Sequence, residues 1–353
     1  MENNQIELSF LSIFTLITFF IFLIISKYSH KIKKGILLDQ DFIKPQAFHK
    51  SAIGRTGGLA GVISLNIFFI IYYLIVSKIL FEYLFLCNLM FLIGFLDDLK
   101  IKISPSKRLA LMIIFLIASI YFIPIKILNV DIQYINIFLN NEIFSSFFVL
   151  LCFLFIINGA NLIDGFNGLL SVNLIIINSV LIYINLNNDN TEFSIFIIGQ
   201  TIILLSFLLF NFPKAKIFLG DSGAYLLGSL AALNVITTNN LNPNYSSFFF
   251  CILLFYLFFE VFFSFIRKIT QKKSPIHPDS KHLHMLTFKK ISSTFGKDKG
   301  NYINSIIINL VYLFLVLPAL IFAKNPMISR YWFFSLIIIY LVIYLRLYRL
   351  TKN

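Results

Sequence analysis

The chain has 353 residues, of which 58% are hydrophobic and only 13% charged, with 43 phenylalanines. A soluble domain carries about a quarter charged residues, whereas this chain repeats nearly uncharged apolar runs of about 16–22 residues, the length a bilayer demands, so a soluble globule is excluded. The net charge of +13 fits Lys and Arg gathered in cytoplasmic loops rather than a nucleic-acid surface, and Cys87, Cys152 and Cys251, all in apolar runs without metal-ligand spacing, read as small buried hydrophobes.

The first apolar stretch, about 8–26, has no basic region before it and no small-residue cleavage site, and reads as a retained span rather than a signal peptide. The loop after it runs through Lys44-Pro45-Gln46-Ala47-Phe48-His49-Lys50 to Gly54-Arg55-Thr56-Gly57-Gly58. Basic side chains beside paired glycines can let a phosphate approach backbone amides. Spans are expected at 58–77 and 79–96, the second closing on Gly94-Phe95-Leu96-Asp97-Asp98. Successive helical positions diverge by about 100°, so these two carboxylates need not share a task. Lys100, Pro105, Lys107 and Arg108 lead into a span at 109–125. The next, 143–159, runs into Asn158-Gly159-Ala160-Asn161-Leu162-Ile163-Asp164-Gly165-Phe166-Asn167-Gly168, whose amides, acid and glycines suit a backbone approached closely by a ligand.

Spans at 168–186 and 193–210 precede one at 219–237, which opens on Gly220-Asp221-Ser222-Gly223, where amides could face an anion. A span at 246–266 feeds the longest loop, about 267–301, which has room for a small helix of its own. It carries Arg267-Lys268, Lys272-Lys273-Ser274-Pro275 and His277-Pro278-Asp279-Ser280-Lys281-His282-Leu283-His284. Spans at 302–323 and 328–346 complete an all-α, polytopic membrane bundle of about eleven transmembrane helices. With the N-terminus outside and sides alternating, cytoplasmic segments hold 25 of the 29 Lys and Arg; the outer side keeps Lys78, Lys126, Lys324 and Arg330. This places the C-terminus in the cytoplasm.

Asp97, Asp98, Asp164 and Asp221 each fall at the cytoplasmic end of an expected span, where a charge is costly to keep without use. The plainer reading is helix capping, which explains one such acid more easily than four on one face among Asn and Gly. Carboxylate and amide oxygens without Cys or His favour a hard cation such as Mg²⁺. The spacing of His282 and His284 is not the helical pair of a zinc site, and no thiolate is near. Carboxylates and cations together at headgroup level suggest chemistry on phosphates, with a lipid as one substrate.

In this order the motifs resemble those of the polyprenyl-phosphate N-acetylhexosamine-1-phosphate transferase superfamily, glycosyltransferase family 4. The resemblance runs from His49-Lys50 and Arg55-Thr56-Gly57-Gly58 through Asp97-Asp98, Asn161 to Gly165 and Gly220 to Gly223, to the 275–284 loop. It implies one membrane-embedded transferase domain over 1–353. It also implies an Mg²⁺-dependent reaction (Mn²⁺ a possible substitute) in which polyprenyl (undecaprenyl) phosphate attacks the sugar-linked phosphorus of a UDP-N-acetylhexosamine, releasing UMP. By position, Asp221 is implied as a metal ligand with Asn161 as a second. Asp97 would deprotonate or orient the lipid phosphate, with Asp98 beside it, and Asp164 is a required acid. Lys50 and Asn167 fall at nucleoside contacts, and Arg267, His282 and His284 at the sugar and diphosphate. The implied location is the inner (plasma) membrane with the site at its cytoplasmic face; a homodimer is possible.

Asn167 stands where many relatives carry a second Asp, and Met285 where a further His is common. The phospho-N-acetylmuramoyl-pentapeptide transferases usually show three consecutive histidines there and a Pro-Thr-Met-Gly-Gly-type first motif. Both differences point to the branch using a simple UDP-N-acetylhexosamine, as in O-antigen, capsule or cell-wall glycan initiation. Glu260, seven residues before Arg267, stands in for an Asp of the ninth span, with solvation at a helix end as the plainer reading. A secondary transporter is the competing class; its acids would lie mid-membrane between paired broken halves, and neither is seen. A lipid phosphatase would need a nucleophile–His–Arg set.

Overall fold

The computed structural model describes residues 2–29, 31, 36–40, 52–101, 103–123, 125–275 and 279–352. Among them are fourteen helices and one two-residue antiparallel pairing, β1 (Leu38–Asp39) with β2 (Ile53–Gly54). Helices occupy each of the eleven expected segments: α1 (Glu2–Tyr28), α2 (Gly57–Val76), α3 (Phe81–Asp98), α4 (Pro105–Phe122), α6 (Glu142–Ile163), α7 (Leu169–Leu186), α8 (Thr191–Asn211), α9 (Gly220–Leu241), the pair α10 (Ser247–Leu253) and α11 (Phe255–Thr270), α13 (Lys297–Ile321) and α14 (Pro326–Lys352). The longest loop does hold a helix, α12 (Leu283–Phe295), and a short α5 (Gln133–Leu139) precedes α6.

Among the described residues eight helices are long and apolar enough to cross a membrane, nine if α10 and α11 form one span. The expected spans outside that set are α3, which carries Glu82, Asp97 and Asp98, and α9, rich in Gly, Ser, Asn and Thr. The segment expected as one helix at 246–266 bends by 76° at Leu254. No Pro or Gly marks the bend; instead the Leu253 carbonyl accepts a hydrogen bond from the Tyr312 hydroxyl. A break inside a bilayer is tolerated where protein satisfies the freed backbone in this way.

The centre of the bundle is α9, packed against α2, α3, α6 and α7 and buried along most of its length. Small residues bring its neighbours close. A Cβ on Gly94 would lie 2.5 Å from the Asp221 carbonyl, one on Gly228 2.9 Å from Ile157 Cα, and one on Gly58 2.4 Å from the Gly223 nitrogen. Buried amides tie α9 to α8 and α7: Gln200 and Asn234 exchange hydrogen bonds of 3.2 and 2.7 Å, and Asn185 donates to Thr238 at 2.9 Å. Because the contacts at Gly94 are backbone atoms that cannot rotate away, Gly94→Ala is expected to destabilise the chain by about 1–3 kcal/mol. Thermal unfolding in detergent measures this, and a wild-type midpoint would mean that α3 and α9 do not cross this closely.

The helices alternate in direction, so one end of the bundle gathers the C-termini of α3, α6, α8 and α11 with the N-termini of α2, α4, α7, α9 and α13. At the other end lie Lys78 with Glu192, Lys126 with Glu142, Lys324 over the Tyr245 ring, and Arg330, which donates to the Asp131 carbonyl. These are the four basic residues that charge sorting had set apart from the rest.

Candidate active site

At the first of these ends, Asp98 closes α3 with its side chain turned inward and 1% exposed. It accepts the backbone N–H groups of Asp221 (3.1 Å) and Ser222 (3.0 Å), so an acid from one helix caps the N-terminus of another. The unpaired amides and dipole of α9 make that position favourable for a carboxylate. Gly220, with φ of +76°, makes the tight turn into α9; a Cβ there would sit 2.6 Å from the Asp98 carboxylate. Capping is therefore real for Asp98, and Asp97 faces elsewhere, as the helical divergence of adjacent positions anticipated.

Asp97 and Asp221 converge on one cationic atom. Nη1 of Arg108, from the first turn of α4, lies 3.2 Å from Asp97 Oδ2 and also contacts Asp221 Oδ2. The Arg108 guanidinium rests 5.7 Å from the Tyr225 ring centroid. Arg55 pairs with Asp39 at 2.8 Å and approaches Asp98 at 3.9 Å. Burial opposes the Arg55 charge, but Asp39, Asp98 and Asp221 outweigh it and hold the guanidinium protonated.

The paired glycines of the first loop do not present their amides to a ligand. Gly57 N–H donates to the Phe218 carbonyl at 2.9 Å and Gly58 N–H to the Leu219 carbonyl at 2.8 Å. They clamp α2 onto the α9 turn, and the expected phosphate approach at that pair is corrected accordingly.

Asp164 follows the last turn of α6, and its carboxylate makes no hydrogen bond or ion pair among the described residues. Desolvation first, then the charges of Asp221 and Asp98, push its pKa well above the usual carboxylate range, with Arg55 opposing. Around Gly165 there is open space within 4 Å of a built Cβ. Asn161 lies one turn earlier, partly exposed. Asn167 is structural as placed: its backbone N–H donates to Asn301 Oδ1 (2.8 Å) and its side-chain nitrogen to the Pro213 carbonyl (2.9 Å).

The basic loop is a second cluster, held by the buried Glu260 and the half-buried Asp279. Arg267 makes a two-pronged pair with Asp279 at 2.8 and 3.2 Å, the geometry that favours Arg over Lys. Burial raises the Asp279 carboxyl, but Arg267, the Lys281 N–H and His282 hold it at about 2. His282 lies between two acids, 3.1 Å from Glu260 Oε1 and 3.4 Å from Asp279 Oδ1, and stacks on His284. His284 is 0% exposed, and burial drives its ring down to about 3, so it is neutral at pH 7. Both rings are interior and shape from within the loop that the resemblance assigns to the sugar and diphosphate.

Glu260, also 1% exposed, accepts from the Leu283 N–H at 3.0 Å and the Tyr340 hydroxyl at 2.7 Å as well as facing His282. Solvation at a helix end does not describe it. Phe166 lies between the clusters, its ring 5.8 Å from that of His284 and two residues beyond Asp164.

The structure therefore joins Asp97, Asp98 and Asp221 directly, sets Asp164 within their field, and assembles Arg267, His282 and His284 into an adjacent network. Lys50, with His49 and His277, lies outside the described residues. Sequence reasoning missed the partners Asp39, Arg108, Asp279 and Tyr340. Only Arg108 left a usable signal, as a charge at the edge of an apolar span ten residues after Asp98. Among the described residues no three His, Cys, Asp or Glu side chains are grouped to hold a metal ion. Two carboxylates focused on one cationic nitrogen nevertheless show where positive charge is wanted, and all-oxygen donors suit a hard divalent cation.

Residues 80–239 match the model of the family described as glycosyl transferase family 4, a stretch that contains Asp97, Asp98, Asp164 and Asp221. The chain is 32% identical over 205 residues to an undecaprenyl-phosphate alpha-N-acetylglucosaminyl 1-phosphate transferase of Thermotoga maritima, covering 57% of this chain and 60% of that protein. It is 36% identical over 157 residues to a phospho-N-acetylmuramoyl-pentapeptide-transferase of Streptococcus agalactiae, 41% of this chain and 45% of the relative. A Clostridium perfringens protein of the same name is 33% identical over 150 residues, 40% and 47%. The alignments thus span about half of these relatives' own length, and they bear out the resemblance carried by the motifs.

Proposed function

We propose that this chain, whose residues 80–239 are those of a family 4 glycosyl transferase, moves an N-acetylhexosamine 1-phosphate from a UDP-sugar onto polyprenyl phosphate, with undecaprenyl phosphate as the bacterial acceptor. The observation that carries this reading is the focus of Asp97, Asp98, Asp221 and Arg108, all inside the matched stretch, at one end of an apolar bundle, with Arg55 from the preceding loop at the Asp98 edge. In the reaction an oxygen of the lipid phosphate bonds to the sugar-linked phosphorus, the bond from that phosphorus to the bridging oxygen breaks, and UMP departs with the bridging oxygen.

Phosphoryl transfer asks a protein mainly for positioning and charge neutralisation. A bound Mg²⁺ would supply charge neutralisation to the phosphates in this site. Asp221 is assigned to hold it, with Asn161 as a further oxygen donor. Asp97 orients the lipid phosphate, which is already anionic at pH 7 and needs alignment more than a strong base. Asp98 fixes the α9 turn that presents Asp221, and Asp164 supplies the remaining acid. Lys50 is assigned to the nucleoside side, while Asn167 braces the turn after Asp164 through Asn301 and Pro213. Arg267, His282 and His284 shape the loop over the sugar and diphosphate.

The same reading sets eleven membrane-crossing segments in an inner membrane, with the N-terminus outside, and the basic end with the acids in the cytoplasm. Support comes from the sorting of Lys and Arg and from the four remaining basic residues lying at the opposite end of the bundle.

A panel assay tests the proposal: purified full-length protein with Mg²⁺, undecaprenyl phosphate and labelled UDP-N-acetylglucosamine, UDP-N-acetylgalactosamine or UDP-N-acetylmuramoyl-pentapeptide. We expect labelled lipid and UMP with a simple UDP-N-acetylhexosamine and none with the pentapeptide substrate. Labelling by the pentapeptide substrate alone would transfer the chain to the other branch; no labelled lipid with any donor would reject the transferase reading.

A further inference from the structure

We propose that Arg108 is a built-in counter-cation that occupies the divalent metal position when no metal is bound and is displaced when one enters. This rests on the metal reading given above and goes beyond it by assigning a competitor. One nitrogen, Nη1, is shared by Asp97 Oδ2 and Asp221 Oδ2, so the two carboxylates are already drawn to a single point. Without that charge, two acids brought together at the end of an apolar bundle would repel each other in a poorly solvated setting. Arg108 reaches the focus from a different helix, α4, and its guanidinium packs on the Tyr225 ring at 5.7 Å. It ends the first turn after the Ser104 cap with its side chain about a fifth exposed, so a path outward exists.

The other arginine nearby is differently employed. Arg55 is fastened to Asp39 through two nitrogens, at 2.8 and 3.2 Å, and stays at the Asp98 edge, so it does not compete for the focus. A divalent cation and a guanidinium cannot both lie in contact with the same two oxygens. Metal entry therefore releases a guanidinium beside the position where phosphates bind, which links metal occupancy to the appearance of an anion-binding group.

The test uses the full chain in detergent, without nucleotide-sugar or lipid, and reads Mn²⁺ binding by electron paramagnetic resonance. Arg108→Gln is expected to bind Mn²⁺ about tenfold more tightly than wild type, the size of one modest ion pair lost to competition. Lys107→Gln removes the same charge from the neighbouring exposed position and is expected to change affinity less than about twofold. Equal affinities for Arg108→Gln and wild type, or equal gains in both variants, would overturn the proposal.

Should Arg108→Gln fail to fold, the wild type supplies a second measurement. Mn²⁺ should accelerate phenylglyoxal modification of Arg108, followed by mass spectrometry, and an unchanged rate would reject displacement. Asp221→Asn separates the two readings. If wild type and Asp221→Asn bind Mn²⁺ alike or not at all, the metal assignment fails and the competitor with it. If Asp221→Asn loses Mn²⁺ while Arg108→Gln matches wild type, only the role of Arg108 fails.

Discussion

Asp221→Asn is expected to lower transfer by about a thousandfold or more while the purified protein keeps its elution profile and thermal midpoint. The substitution preserves shape and leaves untouched the Asp221 N–H that donates to Asp98 at 3.1 Å, so the α9 turn stays closed. What is lost is the negative charge that faces Arg108 and, on our reading, the metal. A neutral amide there cannot balance a divalent cation, and the phosphates would lose the charge that holds their oxygens in place. Turnover within about tenfold of wild type, measured with saturating donor and acceptor, would remove Asp221 from the metal assignment.

The second large effect is expected on stability. Glu260→Ala removes the acceptor for His282, the Leu283 N–H and the Tyr340 hydroxyl at once, leaving three polar groups buried without a partner. Breaking a buried charged network from one side costs about 3–5 kcal/mol, so the midpoint of thermal unfolding in detergent should fall steeply. Glu260→Gln keeps an oxygen and should lose much less. In any Glu260→Ala protein that survives purification, KM for the nucleotide-sugar should rise more than KM for the lipid, since the network carries the 279–284 loop. A midpoint equal to wild type would show that this acid does not hold the loop.

The helices show how differently the two kinds of information are distributed. Every segment expected as a span is helical, because a long apolar run has one stable answer in lipid: a helix that satisfies its own backbone. The bend at Leu254 was invisible for the same reason. The group that satisfies the freed Leu253 carbonyl is the hydroxyl of Tyr312, fifty-nine residues away, and Ser247 to Thr270 reads as ordinary helix. In the site, Asp97, Asp98, Asp164 and Asp221 stood out because acids at the ends of apolar runs are conspicuous. Their division of labour did not: that Asp98 caps α9 while Asp97 shares Arg108 with Asp221 depends on how α3, α4 and α9 cross.

The glycines mislead in the opposite direction, and the histidines turn inward in a way that no local pattern shows. A basic His-rich loop and a Gly-Gly pair look like ligand contacts when read locally. Folded, His282 and His284 are 3% and 0% exposed, and the Gly57 and Gly58 amides are spent on the carbonyls of Phe218 and Leu219. Composition and charge order by themselves determined the membrane class, the helical segments and the end at which the acids gather, since those follow from the solvent each segment must meet. Which acid meets which arginine, and which polar groups turn inward, only the tertiary structure decided. Such partners lie far apart in the chain, 123 residues in the case of Asp98 and Asp221, and no local pattern encodes a contact made by packing.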